Sequence, residues 1–172
     1  TLNNPSLSVD NAATAGKLRI DGSGQSVVIA GTIPRNIIVN SGGDLTVNNL
    51  TIAGIGGGIL NSGSALTINN VTFSNNTAPV LGGAIANETG MVTITNSHFN
   101  DNYGPQGGAI SNDSGMVTIT NSSFSGNRTA TSGGAIRSGG GTVTISNSTF
   151  SENSTSDTGA TIDNSGDMSI YN

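Results

Sequence analysis

The chain has 172 residues, of which only 9% are charged and 3% are aromatic, and its formal net charge is −5. Ten Asp plus Glu against five Lys plus Arg leave too little positive charge for a nucleic-acid partner. The absence of Cys excludes a disulfide framework and thiolate metal sites, and no apolar run is long enough for insertion into a bilayer. Short alternating runs of Val, Ile and Thr, separated by Gly, Asn and Ser, instead predict β-strands.

The first segment, residues 1–17, lacks the motifs that recur later in the chain and contains Pro5. We therefore predict that it is an N-terminal cap or a preceding partial coil, and that the repeats occupy residues 18–172. Within the repeats an apolar-Thr-apolar triplet recurs, and it weakens at 168–170, where we expect an incomplete C-terminal coil. The full copies of the triplet lie at 45–47, 66–68, 92–94, 117–119 and 143–145.

Two further motifs keep step with the triplet. The tetrapeptide Gly-Gly-Ala-Ile and the pattern Phe-x-x-Asn both repeat every 25–26 residues. The tetrapeptide stands at 82–85, 107–110 and 133–136, and the pattern stands at 73–76, 99–102, 124–127 and 150–153. This period predicts an all-β fold, a single-stranded right-handed parallel β-helix of about six coils with three short strands in each coil. A βαβ fold is excluded because no segment between the strands has a helical period.

Equivalent residues of successive coils lie ~4.8 Å above one another in such a fold. The phenylalanines are predicted to form an inward aromatic column above Ile52, and a second inward column is aliphatic. The aliphatic column is predicted to contain Ile38, Ile59, Ile85, Ile110, Ile136 and Ile162. The paired glycines before Ile are predicted at bends where a side chain would clash or φ must be positive.

Asparagines are predicted to form three further columns, whose side-chain amides hydrogen-bond along the rod. The first contains Asn49, Asn70, Asn96, Asn121 and Asn147; the second contains Asn40, Asn61, Asn87, Asn112 and Asn164 and is interrupted by Ser138; the third contains the asparagines of Phe-x-x-Asn.

The presence of Gly-Gly-Ala-[Ile/Leu/Val] and Phe-x-x-Asn within one repeat resembles the repeats of chlamydial polymorphic outer-membrane proteins. It is equally similar to a broader group of secreted bacterial right-handed parallel β-helix repeat proteins. The resemblance covers roughly residues 45–165. It implies a β-helix and, in the chlamydial family, an autotransporter passenger domain used in adhesion. We favour the broader surface-protein group, because chlamydial passengers usually contain Cys and this chain has none.

The ionisable residues form no pattern typical of an active site. Hydrolysis of a glycosidic bond needs two or three carboxylates on one face, whereas the ten acids are scattered. Asp101 and Glu152 share a predicted column two coils apart, and Glu88 and Asp113 share another in adjacent coils. We interpret Glu88 and Asp113 as solvated turn residues, with a weak Ca²⁺ site between them as the alternative, and His98 as a polar outward residue. The sequence therefore predicts no catalytic residue, no cofactor and no metal site.

One outward feature is regular. A ladder of threonines follows one face of the predicted β-helix, and a second ladder lies two residues further along each strand. We predict that they form a binding face, whose members are Thr46, Thr67, Thr93, Thr95, Thr118, Thr120 and Thr144. Such Thr-x-Thr rows resemble those of ice-binding proteins, where spaced hydroxyls and methyls order water. A flat polar ladder also suits a carbohydrate or a neighbouring rod, and threonine is in any case a common exposed strand residue.

The leading interpretation is a non-catalytic structural or adhesive β-helix segment of a bacterial surface protein or filament, in an extracellular or cell-surface location. Its expected partners are further coils of a longer chain or head-to-tail copies of itself, and a carbohydrate or host surface. Nucleic acid and membrane insertion are not expected. Two alternatives stay open: a fragment of a polysaccharide lyase or hydrolase whose active site lies in other coils or loops, and an ice-binding protein.

Overall fold

The computed structural model describes residues 7–9, 17–23, 26–31, 35–54, 56–157 and 160–172. Over these residues the chain is all-β, and no helix is present that could cross a membrane. The strands are β1 (Leu7–Val9), β2 (Lys17–Asp21), β3 (Val28–Ala30), β4 (Arg35–Val39), β5 (Asp44–Ala53), β6 (Gly57–Asn61), β7 (Ala65–Ser74), β8 (Ile85–Asn87), β9 (Met91–Thr95), β10 (His98–Asn100), β11 (Tyr103–Gly104), β12 (Ile110–Asn112), β13 (Met116–Thr120), β14 (Ser123–Ser125), β15 (Arg128–Thr129), β16 (Ile136–Ser138), β17 (Thr142–Ser146), β18 (Thr149–Ser151), β19 (Ser154–Thr155), β20 (Ile162–Asn164) and β21 (Asp167–Tyr171).

These strands form three sheets that wind along the molecule as a solenoid of about six coils. Sheet A runs β1-β4-β6-β8-β12-β16-β20, sheet C runs β11-β15-β19, and sheet B contains the other eleven strands. In one coil β12 lies in sheet A, β13 and β14 in sheet B, and β15 in sheet C. The predicted parallel β-helix is confirmed, with the detail that sheet B takes two strands from each later coil. Most of the predicted cap, residues 1–17, lies outside the described residues.

The predicted aromatic column is confirmed. Phe73, Phe99, Phe124 and Phe150 are paired in register, and Ile52 lies beneath Phe73. The ring centroids are 4.8, 4.5 and 4.8 Å apart and the planes are within 8° of parallel. The rings therefore stack at the spacing of the strands that carry them, so each coil supplies one layer of the core.

The aliphatic column is confirmed from Ile59 upward, but the prediction is wrong by one residue at its lower end. Ile37, not Ile38, pairs with Ile59, and Val39, not Asn40, pairs with Asn61. Ile37 and Val39 are fully buried, whereas Ile38 is partly exposed. Successive strand residues point to opposite faces, so only one of two adjacent isoleucines can enter the core. The shorter early repeat gave no landmark with which to choose between them.

The Gly-Gly-Ala-Ile motif combines both predicted reasons for glycine. The first glycine has a positive φ in two copies, +74° at Gly107 and +70° at Gly133. At the second glycine, the Cβ of any side chain on Gly108 would lie 2.1 Å from the carbonyl oxygen of Gly134 and 2.6 Å from the amide nitrogen of Arg128. The motif is therefore a corner at which sheets A and C approach too closely for a side chain.

The asparagines of Phe-x-x-Asn form an interior ladder, as predicted, made of Asn76, Asn102, Asn127 and Asn153. Each Nδ2 donates to the Oδ1 of the next asparagine, at 2.8–2.9 Å. The Nδ2 of Asn102 also donates to the Phe73 carbonyl at 3.1 Å, and its Oδ1 accepts from the Asn76 backbone amide at 3.1 Å. The ladder therefore provides hydrogen-bond partners for buried backbone groups at the turn that are not paired within the sheets.

A corner ladder between sheets A and B contains Asn61, Asn87 and Asn112, continued by Ser138. Asn61 donates to Asn87 at 2.9 Å, and Asn87 donates to Asn112 at 2.8 Å. Each Nδ2 also donates to a carbonyl three residues ahead, which for Asn87 is that of Gly90 at 2.9 Å. The predicted second column is thus confirmed above Asn40.

The corner ladder leaves no room for side chains on the chain that passes over it. A Cβ on Gly115 would lie 2.2 Å from the Asn87 Nδ2 and 2.3 Å from the Gly90 carbonyl oxygen. A Cβ on Gly90 would lie 2.2 Å from the Asn61 Nδ2. The ladder therefore requires the glycines that recur beside it.

The remaining predicted column has a different role. Its five members, Asn49, Asn70, Asn96, Asn121 and Asn147, all have φ between 47° and 56°. Asparagine tolerates this left-handed conformation better than most residues. Within the column, Asn70 donates to Asn49 at 2.8 Å, but these side chains lie at the surface. The column therefore turns the backbone within sheet B more than it links the coils by amide bonds.

We predict that Asn102→Asp destabilises the protein by about 3 kcal/mol or more, because a buried carboxylate cannot donate to the Phe73 carbonyl and the Asn127 amide oxygen. Asn100→Asp, the same change at a partly exposed position of the same coil, is the control. Burial raises the pKa of the new carboxyl above its unfolded value of ~3.9. Its destabilising effect is therefore smallest below that pH and grows as the pH rises. Equal urea unfolding curves for the two variants at pH 7 contradict the ladder.

We predict that Gly115→Ala costs about 1–3 kcal/mol, because its methyl group overlaps a backbone carbonyl that cannot move aside. Gly140→Ala is the matched control, since its Cβ would meet only the Asp113 carbonyl oxygen, at 3.4 Å. That variant is expected to be neutral or stabilised by up to about 1 kcal/mol. Thermal and urea unfolding of both variants measure the difference, and a neutral Gly115→Ala disproves the steric argument.

Candidate functional site

Sheet B presents a regular outward surface, here called the Thr face, on β5, β7, β9, β13 and β17. All seven residues of the predicted binding face lie on it. Thr46, Thr67, Thr93, Thr118 and Thr144 stand in register as one column, and Thr95 pairs with Thr120 in the next. Neighbouring hydroxyls are ~4.8 Å apart between coils and ~6.8 Å apart along a strand. Their use in binding stays a prediction.

A third column of the Thr face was missed from the sequence. It contains Ala65, Met91, Met116 and Thr142. Met91 is 53% exposed and Met116 is 45% exposed, and as neighbours in one column they form a small apolar patch on the face. The signal was present, because each methionine precedes a Val-Thr-Ile triplet by one residue and alternation therefore turns it outward.

The Thr face is uncharged over four coils. The sheet B strands β7, β9, β13 and β17 contain no Asp, Glu, Lys or Arg. Charged residues of this sheet lie toward its two ends instead, with Lys17, Arg19 and Asp21 on β2, Asp44 on β5 and Asp167 on β21. A partner that covers the central part of this face therefore has no ionised group to desolvate.

A groove of about 550 Å³ runs along one edge of the Thr face. Its floor contains Gly90, Gly115 and Gly141, and Met91 and Met116 line its side. The glycines are those required by the corner ladder, so the buried amides determine where the outer surface is open. The groove is shallow, its lining is about equally polar and apolar, and it crosses several coils.

An exposed cluster lies at the lower end of the face, around Asp21. The carboxylate accepts from the Ser23 hydroxyl, the Asn49 amide, the Ser23 backbone amide and Arg19. These bonds, those of Ser23 and Asn49 first, hold the pKa of Asp21 well below its usual range. The Asp21 carboxylate therefore stays ionised at neutral pH, and its hydrogen bonds stabilise a local turn.

The candidate acids do not assemble into a catalytic centre. Asp101 and Glu152 share a column, as predicted, with Gly126 between them. Asp113 lies 3.4 Å from Arg137 in an ion pair, so it is engaged by a cation. Within the described parts of the chain, no group of three or more His, Cys, Asp or Glu could hold a metal ion.

His98 has a plain structural setting. It is exposed on the outward side of sheet B, between Thr72 and Ser123, as predicted. Its Nδ1 lies 2.7 Å from the Ser123 Oγ. The contact continues the row of hydroxyl-bearing side chains.

One buried charge was not anticipated. Arg35 donates to the carbonyls of Gly82 at 2.7 Å and Val80 at 2.5 Å, two coils away. Gly57, which pairs with Arg35, leaves the space that the guanidinium occupies, since a Cβ there would lie 2.6 Å from its Nη1. Burial lowers the pKa of Arg35 to about 10, and the Glu88 carboxylate opposes that shift. The residue holds a turn and is cationic at neutral pH.

Two segments of the chain match the sequence model of the Chlamydia polymorphic membrane protein repeat, at residues 70–88 and 121–141. Each segment contains one Phe-x-x-Asn and one Gly-Gly-Ala-Ile motif. In the structure each therefore includes a member of the aromatic column, a member of the interior ladder and the close corner. No curated protein and no solved structure gives a significant match. The chain is a β-solenoid whose repeats are similar to those of the polymorphic membrane proteins.

Proposed function

We propose that this chain is a non-catalytic structural and adhesive β-helix segment of a bacterial surface protein, located outside the cell. The observation that carries the proposal is the Thr face, a regular and uncharged surface repeated over four coils. The similarity to the repeats of a membrane protein family supports a surface location. The ladders that lock each coil to the next support a structural role.

The chemistry of the Thr face suits an extended neutral partner such as a glycan chain. Hydroxyl groups recur from one coil to the next every ~4.8 Å. The exposed thioethers of Met91 and Met116 add an apolar stripe beside them. Individual contacts of this kind are weak, because each hydroxyl exchanges one water for one partner. A long partner meets many of them at once, so affinity increases with the number of coils covered.

A non-catalytic role is supported by the dispersal of the ionisable groups. Asp101 and Glu152 are two coils apart with Gly126 between them, and among the described residues no third acid joins them in a group that could hold a metal ion. Asp113 is paired with Arg137. Catalysis on polysaccharides commonly depends on clustered carboxylates, or on acidic ligands for a metal ion.

The test compares Thr118→Lys, a charge in the centre of the Thr face, with Val80→Lys, the same charge on a turn residue that is 63% exposed. Retention on immobilised neutral polysaccharides and on epithelial cells is measured for both variants and the wild type. We expect Thr118→Lys to weaken retention by about tenfold or more, because covering the face then requires desolvation of an ammonium group. Val80→Lys is expected to bind like the wild type.

Two outcomes contradict the proposal. Retention that is equal in all three proteins places adhesion elsewhere, and release of new reducing ends from any polysaccharide makes the chain an enzyme. Inhibition of ice recrystallisation that is lost in Thr118→Lys supports the ice-binding alternative instead.

A further inference from the structure

A second surface lies outside the Thr face, where the chain turns from sheet B into sheet C. Two columns meet there. One contains Thr77, Tyr103, Arg128 and Ser154, and the other, two residues earlier in each coil, contains Asn75, Asp101, Gly126 and Glu152. Between them is a pocket of about 260 Å³, lined by Asn75, Asp101, Asn102, Tyr103, Gly126 and Arg128.

The pocket exists because one side chain is missing from a regular column. Asn75, Asp101, Gly126 and Glu152 all have φ between 55° and 65°, so the backbone makes the same turn in each coil. Only Gly126 carries no side chain, and the Asp101 carboxylate leans over it, 2.4 Å from where a Cβ would stand. The left-handed φ does not by itself require glycine, since Asn75 adopts it too.

Three functional groups that line this gap are unpaired within the part of the chain that the structure describes. Among the described residues, none pairs with the Asp101 carboxylate, the Tyr103 hydroxyl or the Arg128 guanidinium. Tyr103 is 40% exposed, and Arg128 lies directly above it in register. The pocket thus brings together a hydrogen-bond acceptor, a guanidinium donor and an aromatic ring, and their polar atoms form no hydrogen bond with the described residues.

The other arginines differ from Arg128 in this respect. Arg19 lies 2.5 Å from Asp21, Arg137 lies 3.4 Å from Asp113, and Arg35 is buried against carbonyl groups. Asp101 and Arg128 both line the pocket, yet they form no ion pair across it. A ligand seated between them can use both groups.

We propose that this pocket binds a neutral pyranose residue of an oligosaccharide. The carboxylate accepts hydrogen bonds from sugar hydroxyls, the guanidinium donates to hydroxyl or ring oxygens, and the tyrosine ring packs against the C–H face of the sugar. The pocket is lined by the Asp101 carboxylate and the chain has a net charge of −5, both of which disfavour an acidic sugar. The volume is just below the ~300 Å³ at which ligand pockets usually begin, which suits one ring rather than several.

This proposal is independent of the Thr face, because none of the six lining residues belongs to it. The full chain is titrated with cellohexaose, mannohexaose and maltohexaose, with hexagalacturonic acid as the acidic comparison. Calorimetry measures affinity, and the amide NMR signals of Asn102, Gly126 and Arg128 report where the sugar binds. We expect at least one neutral hexasaccharide to shift these signals and the acidic one to bind more weakly.

Four variants locate the site. Arg128→Gln is expected to weaken binding by about tenfold to a hundredfold, and Arg137→Gln is its matched control at an arginine outside the pocket. Gly126→Asn fills the gap with a residue that accepts the left-handed φ, and it is expected to abolish binding without unfolding the protein. Thr118→Lys separates the two surfaces: it is expected to leave the sugar-induced shifts of the Asn102, Gly126 and Arg128 signals unchanged even where it weakens binding at the Thr face.

The proposal is overturned if no neutral hexasaccharide binds, if the acidic one binds more tightly, or if Arg128→Gln and Gly126→Asn bind like the wild type while still folded. Binding that is lost in Thr118→Lys and retained in Arg128→Gln assigns the sugar to the Thr face and overturns the pocket alone. Loss in Arg128→Gln with retention in Thr118→Lys supports the pocket whatever the outcome for the Thr face.

Discussion

Each buried position in the central coils of this solenoid has an equivalent position in the next coil, one strand spacing away. This arrangement favours side chains that pack or bond with their own kind at that distance. Phenylalanine rings meet the requirement by stacking at 4.5–4.8 Å. Asparagine meets it because its side chain carries both a donor and an acceptor, so one amide can link to the next without limit. The composition of the chain, rich in Asn and poor in charge, follows from this constraint.

The same constraint extends to the outer surface. The corner ladder occupies the space that side chains at Gly90 and Gly115 would need, so these positions are bare and a groove forms over them. The strands that follow the groove alternate strictly, because their inward Val and Ile are fully buried. Their outward residues are consequently held in straight columns. Interior bonding thus determines both the regularity of the Thr face and the opening beside it.

Motifs that recur at every level could be predicted from the sequence, because repetition reveals the register. This applies to the phenylalanine column, the interior ladder and the glycine corner. Prediction failed at Ile38 and Asn40, where the repeat is shorter and two adjacent isoleucines compete for one inward position. The sugar pocket was also invisible in the sequence. The repeat predicted the column of Asp101 and Glu152, but not that Gly126 leaves a gap in it which Tyr103 and Arg128 line.

The interior ladder also has a mechanical consequence. Its amide bonds run from coil to coil, in the same direction as the backbone bonds of the three sheets. A tensile load along the molecule therefore acts on side-chain and backbone bonds in parallel at each junction. Separating a coil from its neighbour breaks the side-chain amide bond together with the backbone bonds, because the Nδ2 of an asparagine such as Asn102 donates to the coils on both sides. The ladder makes every junction between its coils resist extension to a similar degree, so none of these junctions is a preferred point of rupture.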